Sequence, residues 1–494
     1  MTIGKVTLVG AGPGGRDLLT LKGAQAIAQA DAVVYDRLVS EDILNLIPRT
    51  AERVNVGKEN NHHPVPQPEI NAILVRLASE GKNTVRLKGG DCYLFGRGGE
   101  ECEYLLEHGV PFEVVPGVTS ALAAPAYAGI PVTHRDYCSS VHIVTAHARA
   151  GKQLDIDFES LVRLKGTLVF LMGLTALQQV MDGLLAAGLS PDTAAAVIEN
   201  GTRGNQRKVI SDVEHLPQKV AAAGLHSPAL IVVGQVCTLS EKLDWFTPLP
   251  LHGKTVVVTR SRERAGTLSD KLWRLGANVI EAPCIETVER EDITTLEQAL
   301  SEHWDWVALT SPAGVPAMLH ALERMGRDLR ALYGCKFAAI GAGTAAELKR
   351  CGITADLVPE TYDSTHLAQA LAQAAPGAKV LILRAEQGSK ELTEQLEQAG
   401  IAYADVPTYR TEYRSDKVEL LQNLLNLREV NAITFTSAST VEGFAHAVKD
   451  VDFTGFVALC IGQQTAAAAR RYGMHVQIAK QATIDSMIDA LREE

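Results

Sequence analysis

Aromatic residues are scarce in this 494-residue chain, at 5%, and basic residues are outnumbered, with 47 Lys and Arg against 58 Asp and Glu for a net charge of −11. A negative balance excludes the broad basic surface on which phosphate-backbone binding depends, so no nucleic-acid partner is expected. Local basic clusters still admit small acidic ligands. No CxxC pair occurs among the eight cysteines (92, 102, 138, 237, 284, 335, 351 and 460), which removes the zinc-knuckle and disulfide-framework readings and leaves reduced thiols. No apolar run approaches the roughly 20 residues that cross a bilayer. The start MTIGKVTLVG has neither the basic region nor the cleavage site of a secretory signal. The expectation is a soluble, cytoplasmic protein without a membrane partner.

Hydrophobic residues make up 46% of the chain, in short Val/Ile/Leu runs punctuated by Gly. That texture belongs to buried parallel strands alternating with helices, an α/β fold. A length prior of about 150 residues per domain predicts about three compact units. The stretch EKLDWFTPLPLHGK (241–254) lies between the strand-like runs ALIVVGQV and KTVVVTR and reads as a short connector centred near Leu249. The expected organisation is a first domain over 1–244, a linker over 245–252 and a second domain over 253–494, with few core contacts crossing the linker.

The second half repeats itself once. KTVVVTRSRERAGTLSDKLWRLGANVIEAPCIET (254–287) parallels KVLILRAEQGSKELTEQLEQAGIAYADVPTYRT (379–411), each reading strand, polar loop, helix, Gly turn, strand. WVALTSPAGV (306–315) then answers NAITFTSAST (431–440), and FAAIGAGTAAELKRCGI (337–353) answers VALCIGQQTAAAARRYGM (457–474). Two copies are too few for a solenoid, so two similar lobes facing a cleft are predicted.

In the first half, GAGPGG (10–15) follows a strand and satisfies GxGxxG, with Asp36 closing the next strand. A dinucleotide turn, however, runs straight into a helix whose amides face the pyrophosphate, whereas here Pro13 removes an amide and RDLLT intervenes. RLKGGDCYLFGRGGEE (86–101) sets five glycines around Asp91, and VVPGVTSALAAPAYAGIPVTHRD (114–136) runs strand, turn and small-residue helix, with Thr119 and Ser120 at the helix start.

Together with VVYDRLVS, VGK (56–58), TLVFLMG, ENGTR and SPALIVVG, these segments resemble the uroporphyrinogen-III C-methyltransferases of the tetrapyrrole methylase family over approximately residues 3–240. The chain departs from the family at Gly15-Arg16, where Asp-Pro is usual, and at Cys92. The resemblance implies a two-lobed methylase fold with S-adenosylmethionine as methyl donor between the lobes. The matching donor-binding positions are Pro13, Gly89, Gly90, Asp91, Leu94, Thr119, Ser120, Met172, Gly201 and Ala229. Asp91 would accept ribose or amino-group hydrogen bonds, and Met172 would give adenine a soft apolar wall. Asp36 matches the family's base toward the pyrrole and Lys58 a proton-handling partner. Arg37, Lys58, Arg97 and Arg135 are candidates to hold substrate carboxylates.

Residues about 253–490 resemble uroporphyrinogen-III synthase, through the duplication, ITFTSAST and AIGAGTAAEL. That resemblance implies a two-lobed, internally duplicated parallel α/β fold in which 253–284 pack with about 411–494, leaving 285–410 as the other lobe. Tyr409 matches a tyrosine assisting loss of the substrate hydroxyl. Thr344, Ser437 and Thr465 match helix-opening turns facing the cleft. The joint expectation is a fusion that closes hydroxymethylbilane to uroporphyrinogen III and methylates it twice to precorrin-2. It would use no metal and take small tetrapyrrole substrates, and a homodimer through the methyltransferase half is compatible with it. The rival readings are a nucleotide-dependent oxidoreductase and a two-lobed binding protein for acidic ligands.

Overall fold

The computed structural model describes residues 3–57, 65–146, 154–260, 262–374, 376–388, 390–414, 417–448 and 451–493. Four five-stranded sheets organise them, two in each half. The first sheet holds β1 (Val6–Gly10), β2 (Ala32–Tyr35), β3 (Glu52–Asn55), β4 (Thr84–Lys88) and β5 (Phe112–Val115), all parallel in the order β3-β2-β4-β1-β5. Its central strands are covered on both faces, which is why VTLVG and TVRLK lie almost wholly buried.

The second sheet holds β6 (Val141–Thr145), β7 (Thr167–Leu171), β8 (Ala194–Glu199), β9 (Arg207–Asp212) and β10 (Ala229–Val233) in the order β6-β7-β10-β8-β9. Only β6 and β7 pair in parallel; the other three pairings are antiparallel. The short turn between β8 and β9 is too brief for a parallel crossover and long enough for a hairpin.

In the second half the chain makes β11 (Thr255–Val258) and β12 (Asn278–Glu281), then crosses to a different sheet for β13 (Ile285–Glu289), β14 (Trp306–Leu309), β15 (Lys336–Ala339), β16 (Lys379–Ala385) and β17 (Ala402–Tyr413). It returns for β18 (Ala432–Phe435), β19 (Val457–Cys460) and β20 (His475–Ile478). The sheet β12-β11-β18-β19-β20 is parallel throughout. In β13-β17-β16-β14-β15 only the β13–β17 pair is antiparallel, from Ile285 opposite Tyr413 to Glu289 opposite Tyr409. One of these strands leads into the lobe and the other leads out, so they run in opposite directions. The duplicated α/β pattern is thus realised, with one antiparallel edge where the lobes are joined.

Among the described residues, eight apolar core clusters fall four to each half. The connector is not the sparsely contacted tether expected. Phe246 and Leu251 are buried, Trp245 donates its indole N–H to the Ala126 carbonyl at 3.1 Å, and Tyr127 packs against both Trp245 and Phe246. Ion pairs and hydrogen bonds also cross between the halves. Lys417 reaches Glu41 at 2.8 Å and Asn45 at 3.2 Å, Asn45 reaches Glu281 at 3.3 Å, and Arg16 lies over the Trp273 ring at 4.7 Å.

Burial, with Glu281 nearby, pushes the Asp42 carboxyl up from 3.8 to about 7. Between about pH 4 and 7 the folded chain therefore holds a proton that the unfolded chain has released, and stability falls as pH rises through that window. Asp42→Asn removes the titration. It should raise the apparent Tm at pH 8 by at least about 2–4 °C, the effect of each roughly 1 kcal/mol in a domain of this size, and leave it nearly unchanged at pH 4. Thermal melts at both pH values check this, and an equal shift at both would contradict it.

Candidate active sites

Three loops meet at the carboxyl ends of β1, β4 and β5. A Cβ built on Gly10 would lie 2.5 Å from the Gly117 nitrogen, and one on Gly117 would lie 2.3 Å from the Gly90 carbonyl oxygen. Only bare backbone fits there. Gly12 and Gly90 exchange backbone hydrogen bonds of 3.1 and 2.8 Å across the junction. Gly90 has φ +69°, and the space where its Cβ would stand is open. Asp91 closes the junction: Oδ1 accepts from the Tyr93 and Leu94 amides at 2.8 and 2.9 Å, and Oδ2 accepts from the Gly117 amide at 2.9 Å. Both oxygens, expected to meet a donor's ribose or amino group, are engaged by backbone.

Loops of the second sheet complete the ring. A Cβ on Gly14 would stand 2.4 Å from Thr202 Oγ1, which brings the 200–203 turn against the 10–15 loop that carries Pro13. Asn200 N–H donates to the Pro228 carbonyl at 3.0 Å, beside Ala229, and β10 carries the contact on to β7, with Leu230 opposite Leu171. Met172 follows Leu171 with φ 55° and is 49% exposed. Phe95, Arg97, Met172, Asn200 and Thr202 account for five of the seven non-glycine residues described with positive φ. Such backbone concentrates where a ligand dictates geometry. Thr119 caps the helix Ser120–Tyr127, its hydroxyl accepting from Ala121 N at 3.3 Å. Pro13, Gly89, Gly90 and Leu94 thus stand on loops at the ends of the first sheet's strands, Thr119 and Ser120 at the start of a helix, and Met172, Gly201 and Ala229 at strand ends of the second sheet, whose 200–203 turn meets the 10–15 loop.

Asp36 follows β2, and its side chain is 32% exposed. It accepts a 2.6 Å hydrogen bond from Arg86 Nη2, and Lys88 Nζ stands 3.8 Å away. Neither Arg86, Lys88 nor the wholly buried Glu101 was marked by the motif reading. A signal for them existed, since VRLKG places two cations two residues apart in a strand whose neighbours are apolar. Arg37 and Arg135 are exposed. Arg97 is also exposed, and its guanidinium forks onto Glu100 at 2.9 and 2.6 Å, so it already has a carboxylate partner. Lys58 lies outside the described residues.

In the second half Tyr409 sits within the long strand β17, 7% exposed, its hydroxyl 2.7 Å from Ser311 Oγ. Ser311, in the TSPAG turn after β14, was another residue the motif reading passed over. Ser437 caps the helix Ala438–Ala447 in a capping box with Thr440. Thr344 and Thr465 depart from expectation: they are 1% and 4% exposed, each the third residue of its helix with its side chain in the interior. The exposed first-turn residues are Ala342 and Gly343 in one copy and Gln463 and Gln464 in the other. Burial pushes the thiol of Cys92 to about 11 and those of Cys237, Cys284 and Cys460 to about 12, which removes all four as thiolate nucleophiles at neutral pH.

Residues 5–217 match the family described as Tetrapyrrole (Corrin/Porphyrin) Methylases, and residues 266–489 match Uroporphyrinogen-III synthase HemD. The porphyrin biosynthesis protein HemD of Ruminiclostridium josui is 48% identical over 496 residues, covering 100% of this chain and 98% of that one. The siroheme synthase of Salmonella typhimurium is 54% identical over 244 residues, 49% of this chain and 52% of the relative, so this chain spans about half the length of that curated relative. Among solved structures, the uroporphyrin-III C-methyl transferase of Thermus thermophilus, complexed with S-adenyl homocysteine, is 40% identical with a TM-score of 0.41, covering 48% of this chain and 100% of that one. A mutant uroporphyrinogen III synthase of Thermus thermophilus is 22% identical with a TM-score of 0.37, covering 49% of this chain and 100% of that one.

Removing the Asp91 carboxylate would orphan three backbone amides. Asp91→Ala should therefore destabilise the first half by at least about 2 kcal/mol, with Asp91→Asn costing less because its amide oxygen still accepts. Urea denaturation followed by a probe in residues 3–240 checks this. Equal stability of Asp91→Ala and the native chain would refute the clamp.

Proposed function

We propose that two consecutive reactions run on this chain, which belongs to the tetrapyrrole methylases through residues 5–217 and to the uroporphyrinogen-III synthases through residues 266–489. Both halves are enzyme domains, a uroporphyrinogen-III C-methyltransferase and a uroporphyrinogen-III synthase. In our reading the second half closes hydroxymethylbilane to uroporphyrinogen III, inverting ring D with loss of water. The first half then methylates that product at C2 and C7 to give precorrin-2, which feeds siroheme or cobalamin formation. The observation that carries this reading is the relative that matches this chain through both halves, over 100% of it.

The inter-sheet cleft fits a methyl donor chemically. Open space beside Gly90 admits close backbone contact, and the half-exposed Met172 offers an apolar wall. Pro13, Gly89, Gly90, Leu94, Thr119, Ser120, Met172, Gly201 and Ala229 would hold S-adenosylmethionine, which when bound supplies an electrophilic methyl group. Asp91 supports them by fixing the loop. Asp36, partly exposed and held by Arg86, accepts the pyrrole N–H hydrogen bond or proton as positive charge develops on the ring. Arg37, Lys58 and Arg135 hold substrate carboxylates, and Arg97 does so by exchanging Glu100 for substrate. In the second half the Tyr409 hydroxyl, backed by Ser311, assists departure of the substrate hydroxyl. Ser437 and the helix openings at 342–343 and 463–464 receive carboxylates at their first-turn amides.

Incubation of the chain with hydroxymethylbilane and S-adenosylmethionine should give precorrin-2 by mass and absorption spectrum, and chelation should leave the yield unchanged. Uroporphyrinogen III without added methyl groups would contradict the methyltransferase assignment, and a macrocycle of the uninverted isomer I alone would contradict the synthase assignment. Asp36→Asn should slow methyl transfer at least about 100-fold while calorimetry finds donor affinity nearly intact. Equal loss of both would make Asp36 structural. Tyr409→Phe should slow ring closure and raise the fraction of the uroporphyrinogen I isomer, since unassisted cyclisation skips inversion; an unchanged rate and isomer ratio would reduce Tyr409 to packing.

A further inference from the structure

We infer that Arg86 is the positioning residue for Asp36, and that the buried ions behind it, Lys88 and Glu101, hold that one carboxylate in place for methyl transfer. The inference rests on the role proposed above for Asp36 and adds the device that sets its geometry.

The four side chains form one connected cluster. Arg86 is 1% exposed, Lys88 5%, Glu101 0% and Asp36 32%. Arg86 donates through Nη2 to Asp36 at 2.6 Å and through Nε to Glu101 Oε1 at 3.1 Å. Lys88 Nζ donates to the same Glu101 oxygen at 3.0 Å, and the Gln67 amide also donates to it at 3.0 Å. Each of Asp36, Arg86 and Glu101 comes from a different element: the end of β2, the middle of β4, and the helix Gly98–Glu107. The guanidinium spans them as a rigid fork, a task a flexible ammonium performs poorly. Of the four, only Asp36 presents a substantial part of its side chain to solvent.

Stability alone gives a poor reason for this arrangement. Burying two cations and the Glu101 carboxylate carries a large desolvation cost, and apolar side chains of similar volume commonly serve a core as well or better. Glu101 is also imperfectly satisfied, because its Oε2 finds no partner among the described residues. A costly network that ends on one partly exposed carboxylate at the rim of a cleft is the pattern of a reactive group held in a fixed orientation by its supporting shell. Glu101 adjoins Glu100, the partner of Arg97, so the network also fixes the start of the helix that presents that pair.

If Arg86 acts through Asp36, their substitutions must not multiply. The test measures methyl transfer to supplied uroporphyrinogen III by the full chain carrying Arg86→Gln, Asp36→Asn or both, with calorimetric binding of S-adenosylmethionine by the same preparation as the folding control for the first half. Arg86→Gln should lower kcat at least about tenfold with the KM for S-adenosylmethionine within about twofold, and it should add no further loss beside Asp36→Asn. Arg86→Lys should recover part of the rate. A full additional loss in the Asp36→Asn background, or a native rate for Arg86→Gln, overturns the inference. If Asp36→Asn itself transfers methyl at the native rate, the Asp36 assignment falls first and takes this one with it. Loss of methyl transfer in Asp36→Asn but not in Arg86→Gln removes only Arg86. Should Arg86→Gln fail to accumulate as folded chain, Arg86→Lys in the two backgrounds carries the same cycle: a loss that vanishes beside Asp36→Asn supports the inference, and equal losses in both, or none in either, overturn it.

Discussion

Where β1, β4 and β5 end, three stretches of main chain approach so closely that no side chain can stand between them. Gly10 and Gly117 make that approach possible, and Asp91 fastens it by taking three amide hydrogen bonds. The consequences spread outward. With the loops drawn together, the 10–15 loop meets the 200–203 turn of the second sheet, and the cleft between the two sheets acquires a floor made of backbone.

Charge is handled in two ways around this floor. Arg37 and Arg135, proposed to hold substrate carboxylates, stand exposed, where an acidic ligand would recruit them at little desolvation cost. The cations behind Asp36 are buried and paired with carboxylates and carbonyls of the protein itself. The second half is built differently. It holds a tyrosine in a strand against a serine in a turn and opens the helices of the two sequence copies with AGT and QQT, which suits a reaction governed by positioning more than by proton transfer. Between the halves, the packed connector and the contacts of Glu41, Asn45 and Arg16 join two domains that keep separate cores.

Much of this was legible in the letters. Glycine loops followed by small-residue helices carried the methylase pattern, and the duplication announced the paired lobes because each copy repeats strand, helix and turn in register. What stayed hidden depended on direction or on tertiary contact. An aspartate in a glycine loop serves a ligand or its own backbone with the same sequence, and Asp91 serves its backbone. Thr344 and Thr465 lie only two residues past the helix openings, yet the third helical position turns inward, which spacing alone did not resolve. Trp245 and Phe246 looked like linker residues because their partner Tyr127 is more than a hundred positions away. The Arg86 network was obscured for a related reason, since its members lie far apart along the chain and converge only when β2, β4 and a helix are assembled.

The central claim is that a backbone junction in the first half builds the methyl-transfer site and that ring closure depends on a separate core. Gly117→Ala tests it most directly, because the added methyl group would have to occupy a position 2.3 Å from the Gly90 carbonyl. The measurement is the product spectrum of that variant fed hydroxymethylbilane and S-adenosylmethionine. Ring closure at the native rate with unmethylated uroporphyrinogen III accumulating is the predicted result; precorrin-2 formed at the native rate would contradict the account.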